Sequence, residues 1–325
     1  MPLIPIPQIL EMRSYSLIAP AKINLYLEIL GTRPDGYHEL AMVLQSINLA
    51  DRIHLCAIST DTIHVHCDHP EVPTDKSNLA YQAAELMATQ FPDAFAQYGG
   101  VGITIDKHIP VAAGLAGGST DAAAVLVGLD LLWKLGLTQV ELQILAAQLG
   151  SDVPFCVTGG TAIATGRGDQ LSSLTSLTDL YVVLGKYRHL TVATAWAYQT
   201  YRQQFGSSYV DKPNLESRAF AVHSGSMVKA IIHQDGGLIG QRLHNDLERV
   251  VLPKYPQVLQ LRQAFQDSGV LGTMMSGSGP TVFGLCESYQ KAQQIQQKLR
   301  ATFPDPDLDL VVTQFSSTGI RVASS

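Results

Sequence analysis

The chain has 325 residues, 46% hydrophobic and 15% charged, the balance of a packed globular protein long enough for two domains around a shared cleft. Its formal charge is −6, from 28 acidic and 22 basic residues, and neither sign gathers in a block, which argues against a nucleic-acid surface. No apolar run reaches the roughly 20 residues a membrane span needs, and Cys56, Cys67, Cys156 and Cys286 form no CxxC pair or dense framework, so reduced thiols in a cytoplasm-like compartment are expected.

The opening stretch MPLIPIPQILEMRSYSL is apolar but proline-rich and lacks a basic flank, so it reads poorly as a signal peptide. From Ile23 to Ile29 the residues alternate, predicting a strand with Ile23, Leu25, Leu27 and Ile29 on one face. Lys22, Asn24 and Tyr26 then share the other. Asp35-Gly36 predicts a hairpin turn. Short strands are expected over 51–58 and 62–67, a helix over 79–90 capped by Ser77, and a strand over 101–105. His64, His66, Cys67 and His69 crowd the second short strand. A zinc or nickel site is one reading of them, and solvent-facing hairpin histidines are the commoner one.

Helix formers run from Ser119 to Leu135, with Gly136 placed as the residue just past the end. Thr138 and Glu141 form a capping box for a second helix, which carries Leu142, Leu145 and Leu149 on one stripe and ends at Gly150. Beyond it the pattern gives strands near 181–184 and 281–285, helices over 194–203, 255–267 and 289–302, and two terminal strands. His244-Asn245-Asp246-Leu247 reads as a capped helix start. Strands and helices mixed without regular βαβ alternation predict an α+β fold, with a soft boundary near residue 170.

Four stretches carry chemistry. In Pro110-Val111-Ala112-Ala113-Gly114-Leu115-Ala116-Gly117-Gly118-Ser119-Thr120, glycines between a strand and a helix let backbone approach a ligand, and the helix start offers free N–H groups to an anion. The pattern is neither a Walker loop nor the dinucleotide fingerprint. An ordinary strand-to-helix connection has the same local form. A helix start is worth about half a charge against about four on ATP, and the only nearby basic residue is Lys107, just upstream. A bound triphosphate therefore calls for Mg²⁺, with the Ser119 and Thr120 hydroxyls as its protein contacts. Asp152, between Gly150 and a proline expected to block a new helix, is either a proton acceptor or an ordinary turn aspartate. Lys22 and Asn24 are either site residues or solvated polar residues on an edge strand. Met275-Ser276-Gly277-Ser278-Gly279 is a second glycine-rich loop.

Taken in order, Pro20-Ala21-Lys22-Ile23-Asn24, Pro110-x3-Gly114-Leu115-x-Gly117-Gly118-Ser119 and Gly277-Ser278-Gly279-Pro280-Thr281 resemble the three motifs of the GHMP kinase superfamily. Arg33-Pro34-Asp35-Gly36-Tyr37-His38, Gly150-Ser151-Asp152-Val153-Pro154-Phe155 and Gly160-Thr161-Ala162-x3-Gly166-Arg167-Gly168 narrow the resemblance to the branch acting on 4-diphosphocytidyl-2-C-methyl-D-erythritol. It covers most of the chain, with little from residues 1–14 and about 205–240. It implies a ribosomal-protein-S5-domain-2-like nucleotide half over 1–170 and a ferredoxin-like α/β substrate half over 171–325, with a cleft between them. It also implies transfer of phosphate from ATP to the 2-hydroxyl of that substrate, on the non-mevalonate route to isoprenoid precursors.

By the same resemblance Asp152 is the base and Lys22 its partner, residues 110–120 with Lys107 hold the nucleotide, and Ser119 meets Mg²⁺. His38 reads the cytosine edge, Tyr37 and Tyr198 sandwich the base, and Asn24 and Thr194 touch the substrate. The chain departs from the family pattern at Ala112-Ala113 and Ser151, and neither change removes a functional group. The expected partners are small molecules, not nucleic acid or membrane, in a cytoplasmic (or plastid-stroma) monomer or weak homodimer. A homoserine, mevalonate or shikimate kinase, or a non-catalytic nucleotide-binding protein, shares the scaffold; Tyr37, His38 and Tyr198 favour the cytidine-linked acceptor.

Overall fold

A computed structural model describes residues 13–210 and 214–323. The proline-rich start read above as a poor signal peptide lies, through residue 12, outside the described residues. Two long antiparallel strands, Ser14–Thr32 and His38–Ile58, form the backbone of an eight-stranded sheet. The expected strand over 51–58 is only the far end of the second one. Gln45 and Ser46 interrupt its apolar pattern, yet both are buried. Gln45 donates to the Ser46 and Ser316 carbonyls and accepts from Thr161. The 38–58 strand is long enough to pair twice on its far edge, with Gly100–Asp106 along one half and Thr161–Gly166 along the other. Arg321–Val322 returns to the first strand, so the chain's last described strand closes the sheet where it began.

The first strand does not keep one alternation. Register shifts fall at Pro20/Lys22, Asn24/Tyr26 and Ile29/Gly31. At the middle one an extra residue turns the side chains from Tyr26 to Ile29 to the opposite face. Ile23 and Leu25 therefore join one core, with Tyr26 packed against it, while Leu27 and Ile29 join another. The expected single face of Ile23, Leu25, Leu27 and Ile29 is corrected by this bulge, and Tyr26 leaves the face of Lys22 and Asn24.

Helices Leu79–Gln90, Gly117–Trp133 and Gln139–Leu149 pack their buried Ala, Val and Leu residues on Leu17, Ile53, Leu55, Ile103 and Ile105 of the first sheet. Asn78, not Ser77, caps the first of these by accepting from Ala80 N; Ser77 instead donates to Asp75. The second closes at Lys134, which takes the left-handed conformation two residues before the expected Gly136. The capping box of Thr138 and Glu141 is present.

A second, four-stranded antiparallel sheet holds Leu308–Gln314, Tyr181–Tyr187, Val282–Cys286 and Gly272–Met275 in that order. Val182, Leu184, Phe283 and Leu285 share a core with Ala21, Ile23 and Val43 of the first sheet, so the two sheets are joined by apolar packing. Short helices at Leu215–Ala221, Ser226–Ile232 and Gly236–Gln241 were not expected from the sequence, whereas Glu248–Lys254 follows the expected helix start. His244–Asn245 is a short strand pairing parallel to the first, before the helix that was expected to start there. His64 lies against the Thr62 hydroxyl, His66 beside Asp68, and His69 accepts from Glu71 N. No group of three His, Cys, Asp or Glu residues placed to hold a metal occurs among the described residues. No described helix is long and apolar enough to cross a membrane.

Gly128 lets the helix that follows the glycine-rich loop lie close on the sheet: a Cβ there would sit 2.1 Å from Leu55 Cδ1 and 3.0 Å from Leu17 Cδ1. Gly128→Val should destabilise the fold by about 1–3 kcal/mol. Chemical denaturation checks it, and an unchanged midpoint would mean the helix lifts without cost.

Candidate active site

The loop after Gly100–Asp106 is built from alternating left-handed residues: Ala112 (φ 50°), Gly114 (φ 75°) and Ala116 (φ 59°). Such alternation turns successive N–H groups to one side, a concavity suited to anions. Helix Gly117–Trp133 starts directly from Ala116 with no side-chain cap, so its first N–H groups open on the cleft lined by Gly117, Gly118 and Ser119. Alanine at φ near 50° costs about 1 kcal/mol that glycine does not. Ala112 is therefore neutral in chemistry but not in backbone energy, a correction to the sequence reading.

Three distant stretches meet at this loop. Lys22 N donates to Leu115 O at 3.1 Å, and Ser276 Oγ donates to Gly114 O at 3.0 Å. Gly114 has no room for a side chain, since a Cβ would fall 2.2 Å from Ser276 O. Gly277 closes the corner: its absent Cβ would be 3.3 Å from Asn24 Oδ1 and 3.6 Å from Lys22 Nζ. Lys22 Nζ lies 3.4 Å from Asp152 Oδ2 and donates to Asn24 Oδ1 at 2.9 Å. The lysine is buried, whereas Asp152 keeps 32% of its side chain exposed and faces the cleft. Asp152 sits at the start of helix Val153–Thr158, with Pro154 in the first turn. That proline, expected to block a helix, begins one, because the first turn has no N–H to lose.

Lys107 is placed otherwise than expected. Its ammonium touches the cleft but lies 2.6 Å from both Asp51 Oδ2 and Asp121 Oδ2, all three groups buried. Asp51 also accepts from His108 N and Ile109 N. Burial pushes the Asp121 carboxyl well above the usual range, against the pull of Lys107, and the Asp51 charge adds to the rise. The Lys107 charge is thus already matched inside the protein. Of the loop residues, Leu115 lies in the core and Thr120 is fully buried with its hydroxyl toward the Cys156 thiol, so neither lines the cleft. Pro110, Val111, Ala112, Ala113, Gly114, Ala116, Gly117, Gly118 and Ser119 do.

The cleft has a volume of about 960 Å³ and also takes in Asn24, Tyr37, His38, Thr194 and Tyr198, residues from both sides of position 170. Helix Thr194–Phe205 sets Thr194, Tyr198 and Arg202 four residues apart along it. Thr194 Oγ1 lies 2.9 Å from Ser278 Oγ, bringing that helix to the third loop. The His38 and Tyr198 ring centroids are 5.1 Å apart. Tyr37 does not face Tyr198; it is 55% exposed, with the Arg167 guanidinium 5.2 Å from its ring centroid. Tyr209, which no sequence signal marked, closes the other side of His38, its hydroxyl 3.1 Å from Nε2. Only the fold brings it there, from a stretch without motifs.

The first half of the chain matches the GHMP kinases N terminal domain over residues 78–160, and the second matches GHMP kinases C terminal over 227–305. The 4-diphosphocytidyl-2-C-methyl-D-erythritol kinase of Nostoc punctiforme is 71% identical over 97% of this chain and 100% of its own. That of Trichodesmium erythraeum is 61% identical over 96% and 100%. A crystal structure of 4-(cytidine 5'-diphospho)-2C-methyl-D-erythritol kinase superposes with TM-score 0.71 at 32% identity, over 93% of this chain and 99% of that one. A homoserine kinase from Cytophaga hutchinsonii gives TM-score 0.74 at 19% identity over 99% and 100%, a likeness of fold alone. The chain belongs to the 4-diphosphocytidyl-2-C-methyl-D-erythritol kinase family of GHMP kinases, with their two-domain α+β fold and their use of ATP.

Gly114→Ala places a methyl against the Ser276 carbonyl at positive φ, and should cost more than about 2 kcal/mol of stability and at least about tenfold in ATP affinity. Calorimetric titration with ATP checks the second figure, and unchanged affinity would mean the loop needs no close approach to the third motif. Burial, with the Arg202 guanidinium adding, pulls the His38 imidazole from 6.5 down to about 4. The unfolded chain therefore takes up that proton first. The stability is present above about 6.5 and is lost as pH falls toward 4. The melting temperature should fall more between about pH 7 and about pH 5 in the native chain than in His38→Gln. Equal falls would show that the imidazole titrates alike folded and unfolded.

Proposed function

We propose that this chain transfers the γ-phosphoryl group of ATP to the 2-hydroxyl of 4-diphosphocytidyl-2-C-methyl-D-erythritol, giving the 2-phosphate and ADP, on the non-mevalonate route to isoprenoid precursors. The observation that carries the reading is the Lys22–Asp152 couple, 3.4 Å apart, in which Lys22 lies on a strand whose backbone at Lys22 N is bonded to the glycine-rich loop at Leu115 O. A carboxylate facing the cleft beside an anion-binding concavity is what an alcohol acceptor requires.

In this reading the loop N–H groups and the uncapped helix start bind the nucleotide phosphates, and Ser119 offers the one loop hydroxyl that faces the cleft. A single hydroxyl without a cluster of carboxylates fits Mg²⁺, which binds chiefly through phosphate oxygens and water. When bound, Mg²⁺ supplies the charge compensation that Lys107, already matched by Asp51 and Asp121, does not. Asn24 orients Lys22. Lys22 holds the Asp152 carboxylate in place and presents positive charge to the migrating group. The acceptor oxygen forms its bond to the γ-phosphorus as the bond to the β–γ bridging oxygen breaks, and its proton passes to Asp152. Because the transition state is loose, proton transfer comes late and alignment supplies most of the acceleration.

At the other end, His38 stays neutral at pH 7 and reads the cytosine edge through Nδ1, with Tyr198 against its face and the Tyr209 hydroxyl at Nε2. Tyr37, on the hairpin, folds onto the base from the exposed side. A simple alcohol such as homoserine has no use for this aromatic end.

Incubation with Mg-ATP and 4-diphosphocytidyl-2-C-methyl-D-erythritol should release ADP in step with substrate loss. Absence of ADP above background at micromolar enzyme would reject the reading. Asp152→Asn should lose about 10²- to 10⁴-fold in turnover while still binding ATP. Near-native turnover in that variant would take the proton-accepting role from Asp152.

A further inference from the structure

Arg167 stands in the Gly166-Arg167-Gly168 turn, lines the cleft, and has no part in the steps above. We propose that Arg167 recognises the diphosphate of the acceptor and so makes the site selective for nucleoside-diphosphate-linked alcohols. This rests on the acceptor reading given under Proposed function.

The first support is position. Asn24 pairs with Leu44 at the carboxylate end of the long hairpin and Thr32 with His38 at the aromatic end, separated by about 20 Å of strand. An acceptor with its hydroxyl at one end and its base at the other carries its diphosphate between them. The Arg167 turn occupies that middle. Gly166 pairs with Leu40, and a Cβ on Gly168 would fall 2.6 Å from Met42 Cε and 3.7 Å from Ser151 Cβ, next to Asp152. On its other side the guanidinium lies over Tyr37. The 166–168 turn therefore lies between the hairpin that bears His38 and the turn that bears Asp152.

The second support is charge. Of the other cations lining the cleft, Lys22 is engaged by Asp152 and Asn24, and Lys107 by Asp51 and Asp121. Arg202 sits at the hairpin tip, donating to Gly36 O at 2.6 Å, beyond the aromatic end. Arg167 springs from a turn paired between the two ends, at Leu40, and its guanidinium reaches toward Tyr37.

The third is preorganisation. Arg167 Nε and Nη2 donate to Asp169 Oδ2 at 3.3 and 3.1 Å, and Asp169 does not line the cleft. The carboxylate offsets part of the positive charge but fixes the fork from behind, leaving its outer edge to bind two phosphate oxygens.

Equilibrium titration of cytidine, CMP and CDP, without ATP, tests this on the whole chain. The native protein should bind CDP more tightly than cytidine. Arg167→Gln should weaken CDP about tenfold while cytidine stays within about twofold. Arg167→Lys, which keeps the charge but not the fork, should fall between, and it carries the test should melting curves show the Gln variant misfolded. Equal weakening of cytidine and CDP would overturn the proposal and leave Arg167 as a support for Tyr37; so would unchanged CDP affinity, or equal binding of cytidine and CDP by the native protein. Lack of turnover by the native chain would instead reject the acceptor reading. Turnover together with CDP affinity that survives Arg167→Gln rejects this inference alone.

Discussion

The site depends on two backbone carbonyls of one loop. Leu115 O accepts from Lys22 N and Gly114 O from Ser276 Oγ. These bonds hold together a strand near the start of the chain, a helix start in its middle and a turn near its end. Each is an ordinary hydrogen bond, worth about 1 kcal/mol net. Their importance is geometric, because Gly114 leaves no space for the loop to shift against Ser276. With the loop fixed, the ammonium of Lys22 and the concavity of N–H groups have one relative position, and Asp152 takes its place from Lys22.

Charge arrangement under the loop follows from the same need. Lys107 borders the cleft, yet it lies between two buried carboxylates. With both ionised, the trio would carry a net negative charge beside the glycine-rich loop. Burial raises the Asp121 carboxyl, which favours its neutral form and lessens the net charge of the trio. Its task is then structural. Asp51 holds His108 N and Ile109 N, the backbone leading into the loop, and Lys107 ties that segment to the helix at Asp121, just past its first turn. Gly117 makes the fit possible, since a Cβ there would lie 3.0 Å from Lys107 Nζ.

Much of this was legible in the sequence where local chemistry decides. The helix at 79–90, the capping box at Thr138 and Glu141 and the helix at 289–302 depend on periodicity and caps within a few residues. That Lys22, Asn24, Asp152 and the glycine-rich loop come together was legible from the order of the motifs. The misses share one cause, dependence on distant partners. Lys107 looks like a free cation until Asp51 is folded beside it. Tyr209 has no motif and reaches His38 only through tertiary packing. Thr120 looks like Ser119's twin, but one step along a helix turns it by about 100° into the core.

The bulge between Asn24 and Tyr26 shows how a local irregularity shapes the cleft. Without it, the face that carries Lys22 and Asn24 would continue through Tyr26 and Glu28, and the cleft would be polar throughout its length. The extra residue brings Leu27 to the cleft instead, beside Leu40 and Met42 of the neighbouring strand. The polar pair is then confined to one end and followed by an apolar floor. An apolar floor beside the buried Lys22 lowers the local dielectric, so its attraction to Asp152 is stronger than on an open strand. One inserted residue thus separates the polar end of the cleft, with Lys22 and Asn24, from its apolar stretch, with Leu27, Leu40 and Met42. The same strand serves both because its pleat changes face between them.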